Sequence, residues 1–364
     1  MCITIWVLGE LDYKYGQNPY YVSIDNFVKD NREIVTNDKI ISASLDSCSY
    51  QTVVYGPIWP LVCKILVFFS MGNLDLGLAL FKLFNIIFHL LNCYFIYKLT
   101  KSKKMTLLYG LNPFILLEGL SNVHNDMCVI TLIFLSLYLL LKKRNICLSV
   151  VILAISTAIK YYAVMLLPFF IIYYFRKETI KVRIKKLITY SLLFVGIIGI
   201  AYLIYFNNFN VITGMITQQN KMAKSLFLLI YLSKIFDVYV LKKVLLLIFA
   251  IIYGIICIRL LTSTKIKFID IMRKYNILLF IFIFILITNF QPWYIMWLFP
   301  TFMWQKTSVI KDIIYVSILS QIANLVFMLY NESYIYGMFF SIILLSGLTI
   351  ILIYNHRKEI KWKS

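Results

Sequence analysis

Lys160 is the side chain whose position is hardest to explain by packing. It follows the apolar run Ile146–Ile159 and precedes Tyr161 and Tyr162, with no second basic residue beside it. An ionisable group at membrane depth is costly and marks a site by default, the plainer alternative being a lysine that snorkels to the interface. Asp126 has no cation within its own turn, and His124 lies two residues before it. A carboxylate so placed can take a proton or hold a polar ligand, or it, like Asn125, can cap a helix that starts at Met127. Glu118 sits one turn before the same loop and could line the same cavity, whereas His89 on an apolar face reads as a satisfied packing residue. Gln291, Trp293, Tyr294 and Trp297 cluster near the C-terminal end, where an interfacial aromatic belt is the ordinary explanation. None of these signals is specific alone.

The elements that must carry these residues are membrane helices. Of 364 residues 61% are hydrophobic and 14% charged, with a mean hydropathy of +0.83, against about 25% charged in a soluble domain. Apolar runs at Leu76–Thr100, Met127–Leu141, Leu187–Tyr205, Val244–Leu261, Tyr275–Thr288, Ile310–Tyr330 and Tyr334–Tyr354 approach or reach the roughly 20 residues that cross a bilayer as a helix. They lack the two-residue alternation of an outer-membrane barrel, so satisfaction of the backbone in lipid leaves helices. The net charge of +20 sits in short clusters at helix ends: Lys101–Lys104, Lys142–Arg144, Arg176–Lys186, Lys265–Lys274 and Arg357–Lys363. That is the positive-inside pattern, and it points to anionic lipid headgroups rather than nucleic acid as partners. The seven cysteines, 2, 48, 63, 93, 128, 147 and 257, show no CxxC spacing and mostly lie in apolar runs, as small buried hydrophobes do. No signal peptide, internal repeat or soluble appendage is visible.

The charge rule also sets the path. Residues 1–56 carry seven acidic and four basic residues, the reverse of the basic loops, and are expected on the outer face. If Ile58–Met71 crossed the membrane, Lys101–Lys104 would fall outside; lying along the outer interface, it lets every later basic cluster fall inside. The expected division is therefore a first extracytoplasmic segment with interfacial helices over residues 1–75 and a single transmembrane bundle over 76–364. Leu76–Thr100 runs inward, Met105–Leu120 outward with a kink or helix start at Asn112-Pro113, and Met127–Leu141 inward. Ile146–Ile159 then rises and Tyr161–Phe175 descends, Leu187–Tyr205 leads to a polar loop at Phe206–Ser225, and Leu226–Lys243 is interfacial or re-entrant. Val244–Leu261, Tyr275–Asn289, Trp293–Met303 and a final hairpin complete an all-α polytopic protein of about 10–11 transmembrane helices with a cytoplasmic C-terminus. On this path Asn18-Pro19-Tyr20, Tyr55-Gly56-Pro57, His124-Asn125-Asp126, Lys160 and Gln291-Pro292-Trp293-Tyr294 all lie at outer helix ends.

Five segments in this order carry a resemblance: Gly9–Tyr21 (GELDYKYGQNPYY), Tyr55–Leu61 (YGPIWPL), Asn112–Asp126 (NPFILLEGLSNVHND), Ala158–Pro168 (AIKYYAVMLLP) and Gln291–Pro300 (QPWYIMWLFP). The sequence resembles the GT-C superfamily of polyprenol-phosphate-sugar glycosyltransferases, and within it the mannosyltransferases, including the bacterial lipomannan enzymes and the catalytic subunit of the first GPI mannosyltransferase. The resemblance implies transfer of a hexose, expected to be mannose, from a polyprenol-phosphate sugar to a glycan or glycolipid acceptor at the extracytoplasmic face of the plasma membrane, with inversion. It implies a carboxylate general base, Lys160 meeting the leaving lipid phosphate, and His124, Asn125 and Asp126 in the outer loop that holds sugar or acceptor. Asn18, Tyr20, Tyr55 and Gln291 fall in the matching segments as substrate-binding candidates, and Trp293 and Tyr294 would line the mouth of the lipid groove. No DxD-like acidic cluster is present, so neither metal nor cofactor is expected.

The departure is at the start. Family chains open with a transmembrane helix and then an aspartate, the usual candidate base, about eight residues before the glycine that matches Gly9, a position that falls near Met1. The expectation is a sequence that begins one helix late; otherwise Asp12 or Asp126 must serve as base, or the protein is an inactive relative that binds lipid-linked sugar. A flippase or transporter of lipid-linked sugar is the alternative of a different class. Internal repeats and polar groups at the midplane would favour it, and this sequence gathers its polar groups at one face.

Overall fold

The structure, a computed structural model, describes residues 2–31, 33, 38, 41, 52–207, 238–263, 265–287, 290–305, 307–329 and 347. Among the described residues every regular element is helical, and the protein is an all-α polytopic membrane protein. Leu74–Thr100, Ile180–Tyr202 and Val240–Thr262 are long and apolar enough to cross a membrane, and Ile115–Ser121 with Asp126–Leu141, bent by 111°, form a broken span or a re-entrant loop. At about 1.5 Å per residue a 23-residue helix spans roughly 35 Å, more than the ~30 Å hydrocarbon core. Leu192 and Ile200 leave 67% and 69% of their surface uncovered by protein, which only lipid would cover favourably.

The chain forms two compact units, Met1–Leu167 with Ile188–Gln218, and Pro168–Leu187 with Gln219–Ser364. The first contains α1 (Cys2–Tyr15), α2 (Ile24–Asp30), α3 (Ile58–Ser70), α4 (Leu74–Thr100), α5 (Lys103–Gly110), α6 (Asp126–Leu141) and α7 (Ile146–Thr157). Within residues 1–75, where interfacial helices are expected, the polar N-terminal segment holds α1 and α2 among the described residues. Helix starts follow the sequence: Ser23, Asn73, Ser102 and Asn145 each accept a backbone N–H of the first turn they precede. At 13 residues α3 reaches only about 20 Å and cannot cross the hydrocarbon upright. Helices α6 and α7 pack closely through a reciprocal serine pair, Ser136 Oγ donating to Ser149 O at 2.7 Å and Ser149 Oγ to Ser136 O at 2.9 Å. Ser156 Oγ adds a bond to Val129 O at 3.1 Å. Small hydroxyl residues of this kind let apolar helices approach and join in a membrane.

The segment Met105–Leu120 breaks at Asn112-Pro113, where a kink or helix start is expected. Helix α5 stops at Gly110, Asn112 Oδ1 accepts from the Phe114 and Ile115 amides, and Pro113 has no N–H to continue the ladder. The chain resumes as a π-helical turn, Ile115–Ser121. A 3₁₀ turn, Tyr161–Leu166, opens the segment expected as a helix over Tyr161–Phe175.

The second unit takes in most of α8 (Leu167–Tyr174), the first residues of α9 (Ile180–Tyr202), α10 (Val238–Thr262), α11 (Phe268–Ile281) running into a π turn at Phe282–Leu286, a 3₁₀ turn (Pro292–Leu298), α12 (Phe299–Phe302) and α13 (Thr307–Leu329). Its core is aromatic, Phe169 meeting Tyr253 and Tyr275 edge-on. The expected loop at Phe206–Ser225, most of Leu226–Lys243, the helix at Tyr334–Tyr354 and the basic tail Arg357–Lys363 lie outside the described residues.

Candidate active site

Lys160 does not snorkel. It is 8% exposed, and its Nζ lies 2.7 and 2.8 Å from the two carboxylate oxygens of Asp126 and 3.4 Å from Asn125 Oδ1. Local sequence explains the placement. Helix α7 ends at Thr157, and Lys160 takes an extended conformation (φ −148°, ψ 120°), so its side chain leaves the helix axis instead of continuing around it. The carbonyls freed at that helix end are claimed by the Tyr55-Gly56-Pro57 turn: Gly56 N donates to Ile159 O and Ile58 N to Ala158 O, each at 3.1 Å. Gly56 permits this approach, because a Cβ there would collide with the Ala158 carbonyl. The same turn sets the Tyr55 ring 5.7 Å from Lys160 Nζ, within cation–π range. Tyr20 secures it, its hydroxyl donating to Tyr55 O at 2.8 Å.

Asp126 is fully buried at the first turn of α6, where the helix dipole favours negative charge. The capping expectation is corrected: no side chain caps α6, since Asn125 turns its oxygen toward Lys160 and Asp126 gives both carboxylate oxygens to it. The Asn125 amide nitrogen is buried with no partner among the described residues, a donor ready for a ligand. The loop before α6 is strained at Val123, whose φ of 53° is rare for a β-branched residue. Such outliers persist where surroundings enforce them and concentrate at functional sites. Here the surroundings include Asn85 of α4, whose amide donates to Gly119 O at 2.7 Å and His124 O at 3.0 Å. His124 Nε2 lies 3.2 Å from Glu118 Oε2, both residues buried. Glu118 therefore pairs with His124 and accepts from Asn122 at 3.0 Å; it stands in the same loop as Asp126, on a second polar pair. His89 meets Gly110 O at 3.1 Å and stacks on Tyr109, the packing role expected of it.

Asn18 and Asp12 are joined to this arrangement through Tyr205. Asn18 Oδ1 accepts from Tyr20 N at 3.0 Å and its amide donates to Tyr205 O at 2.8 Å. Asp12 is 8% exposed, not a solvated loop charge; it accepts from Lys64 Nζ and from the Tyr205 hydroxyl, both at 2.8 Å. Residue-to-residue contacts, through side chains, backbone groups and the Tyr55 ring, thus link Asp12, Tyr205, Asn18, Tyr20, Tyr55, Lys160 and Asp126. Tyr161 and Tyr202 add a hydroxyl pair at 2.6 Å.

Beside Asp12, Glu10 is 1% exposed, with one carboxylate oxygen unpartnered among the described residues. Lys14 lies 3.7 Å from its other oxygen, but Lys14 and the Tyr15 hydroxyl are drawn closer to Asp38, at 2.6 and 2.8 Å. Burial, then the negative charge of Asp38, push the Glu10 carboxyl up to about 7 from 4.5. The folded chain therefore holds this proton where the unfolded chain has released it, and stability falls as pH rises from about 4.5 to about 7, staying low above that range. The unfolding midpoint followed against pH should show this decline, and Glu10→Gln should flatten it while raising the midpoint at pH 8.

In the second unit Gln291 precedes the 3₁₀ turn that holds Trp293 and Tyr294. Tyr294 packs on Trp297 with ring centroids 4.4 Å apart and meets Trp293 edge-on at 5.9 Å. These three predicted residues form an aromatic corner within their own unit. Sequence reasoning missed Asn85, Tyr205, Lys64 and Glu10. For Asn85 a signal existed: Asn85, His89 and Asn92 recur at i, i+4 and i+7, a polar stripe on an otherwise apolar helix, and all three are buried. No periodicity brings Tyr205 to Asp12 across 193 positions.

In this all-α polytopic protein the inter-helix loops close around a buried lysine–carboxylate pair. Residues 13–176 match the model of the MptA_B family, described as alpha-(1→6)-mannopyranosyltransferase, N-terminal domain, a GT-C-type mannosyltransferase family. The match covers just under half of the chain; it holds Asn18, Tyr20, Tyr55, His124, Asn125, Asp126 and Lys160, and stops before the Gln291–Pro300 segment. No curated protein and no solved structure matches the chain.

Proposed function

We propose that this protein transfers mannose from a polyprenol-phosphate sugar to a glycan or glycolipid hydroxyl at the extracytoplasmic face of the plasma membrane, with inversion. The observation that carries the reading is the buried Lys160–Asp126 pair, inside the span that matches a mannosyltransferase family. A buried ion pair is a poor device for stability, since apolar residues of like volume serve as well or better; its chemistry is the better reason for its presence. The acceptor oxygen forms a bond to C1 of the sugar while the bond from C1 to the phosphate oxygen breaks. The electron pair stays on that oxygen, and the charge developing on the lipid phosphate draws the Lys160 ammonium. The withdrawal of Lys160 releases the Asp126 oxygens to accept the proton of the acceptor hydroxyl, so departure and deprotonation are coupled. Asn125 supplies an amide donor beside both groups, and His124, Asn18, Tyr20 and Tyr55 shape the polar pocket. Asp12, held by Lys64 and Tyr205, is the second carboxylate that could act as base. Trp293 and Tyr294 would receive the polyprenyl chain. With the charge-based topology, the basic clusters and the C-terminus are cytoplasmic.

The experiment is a donor panel. Purified protein in lipid vesicles is given polyprenyl-phosphate mannose, polyprenyl-phosphate glucose or a nucleotide-activated mannose, with a mannosylated glycolipid acceptor, and products are weighed by mass spectrometry. The expected product gains one hexose from polyprenyl-phosphate mannose alone. Transfer from the nucleotide donor only would contradict the lipid-phosphate reading, and donor binding without product would mark a lipid-linked-sugar binder.

A further inference from the structure

The second unit contains a built basic groove that the transfer reaction does not use. Where α10 ends and α11 begins, Arg259, Lys265, Arg273 and Lys274 line an open cavity of about 450 Å³ together with Asp270 and the exposed side chain of Ile277. Four cations thus face one carboxylate, and among the described residues none of the five closes an ion pair. Arg273 Nε is buried with no hydrogen-bond partner among the described residues, an uncommon state for a guanidinium, which normally finds an acceptor. The size lies within the roughly 300–1,000 Å³ of small-ligand sites.

The groove is preorganised by a residue outside it. Arg183, 3% exposed, donates from Nη1 to Leu261 O at 2.7 Å and Ser263 O at 2.6 Å, from Nε to Glu178 O at 2.9 Å, and from Nη2 to Arg176 O. It therefore satisfies the carbonyls at the C-terminal end of α10 and fixes the loop that presents Lys265. The loop is thus held by the backbone contacts of Arg183, and not by counter-charges on the groove cations. They also sit at the end of a helix apolar and long enough to span the membrane, the depth at which headgroups lie.

We propose that this groove binds a phosphate oxyanion presented by an anionic membrane lipid, the cations holding the phosphate and Ile277 lying against the start of the acyl region. Its occupant is neither sugar nor polyprenol specific, and the readout below is independent of mannosyl transfer.

The full chain in detergent is titrated with short-chain phosphatidylglycerol, with short-chain phosphatidylcholine and with inorganic phosphate, and saturation is followed by thermophoresis. One equivalent of phosphatidylglycerol should bind, with the other two at least roughly tenfold weaker because each lacks either net charge or the apolar contact. Arg273→Gln combined with Lys274→Gln should weaken phosphatidylglycerol binding about tenfold, with the lipid-free unfolding midpoint unchanged. Asp270→Asn should tighten it, a gain that misfolding cannot mimic. Equal affinity for phosphatidylcholine, or no response to these three substitutions, would overturn the site. Inorganic phosphate saturating at the same concentration as phosphatidylglycerol would overturn the lipid as its source.

Discussion

Lys160→Ala is expected to cost about 3–5 kcal/mol of stability and to remove transfer, because it takes from the buried Asp126 carboxylate the ammonium that both of its oxygens meet. Asp126→Ala should be as damaging by the mirror argument, leaving an ammonium at 8% exposure. The two losses are not additive. Replacing both residues with apolar side chains of similar volume, Lys160→Met with Asp126→Leu, removes the charges as a pair, and such replacements are often neutral or stabilising. The double variant should therefore unfold close to the wild-type midpoint while staying inactive. Recovery of the fold without recovery of transfer separates a catalytic pair from a structural one. A double variant as unstable as either single would show that the pair holds the loops together by charge, and the proposed chemistry would lose its support.

Gly56→Ala is expected to cost about 3 kcal/mol, the upper end of overpacking effects, because its Cβ would meet the backbone of Ala158 rather than a flexible side chain. The Tyr55 turn and the end of α7 are joined at that contact by two backbone hydrogen bonds, and separating them moves Lys160 relative to Tyr55. Transfer should fall with stability. Gly196→Ala is the control: nothing lies within 4 Å of a Cβ there, and alanine is favoured over glycine in a helix by roughly 0.5–1 kcal/mol. Thermal midpoints in the same detergent should fall for the first and hold or rise for the second. Equal midpoints would mean that the close approach at Gly56 does not constrain the loop.

These residues also show what could be read before folding. Membrane character followed from charge scarcity and apolar runs, since a long chain with 14% charged residues cannot cover itself in water. Lys160 and Asp126 were legible because each is an ion in an apolar setting, and that cost does not depend on knowing the partner. Their partnership was not legible: 34 residues separate them, and only the break at the end of α7 turns the lysine toward the start of α6. The irregular elements were hidden for a related reason. Hydropathy averages over a window, so it shows neither the π turn at Ile115–Ser121 nor the 3₁₀ turn at Tyr161–Leu166, whereas the break within Met105–Leu120 was legible at Asn112-Pro113, the single residues that decide where backbone hydrogen bonds can continue. The burial of Asp12 was not legible because its shields, Lys64 and Tyr205, lie far along the chain.

The proposed transfer requires Lys160 and Asp126 to act on the bond between sugar and lipid phosphate. The most direct measurement is the initial rate of mannose transfer from polyprenyl-phosphate mannose, in lipid vesicles, by the wild type and by the folded Lys160→Met, Asp126→Leu protein at equal amounts. The expected result is product from the wild type and a rate lower by at least roughly a hundredfold from the double variant, as loss of a preorganised electrostatic group entails. A folded double variant that transfers mannose at the wild-type rate would contradict it.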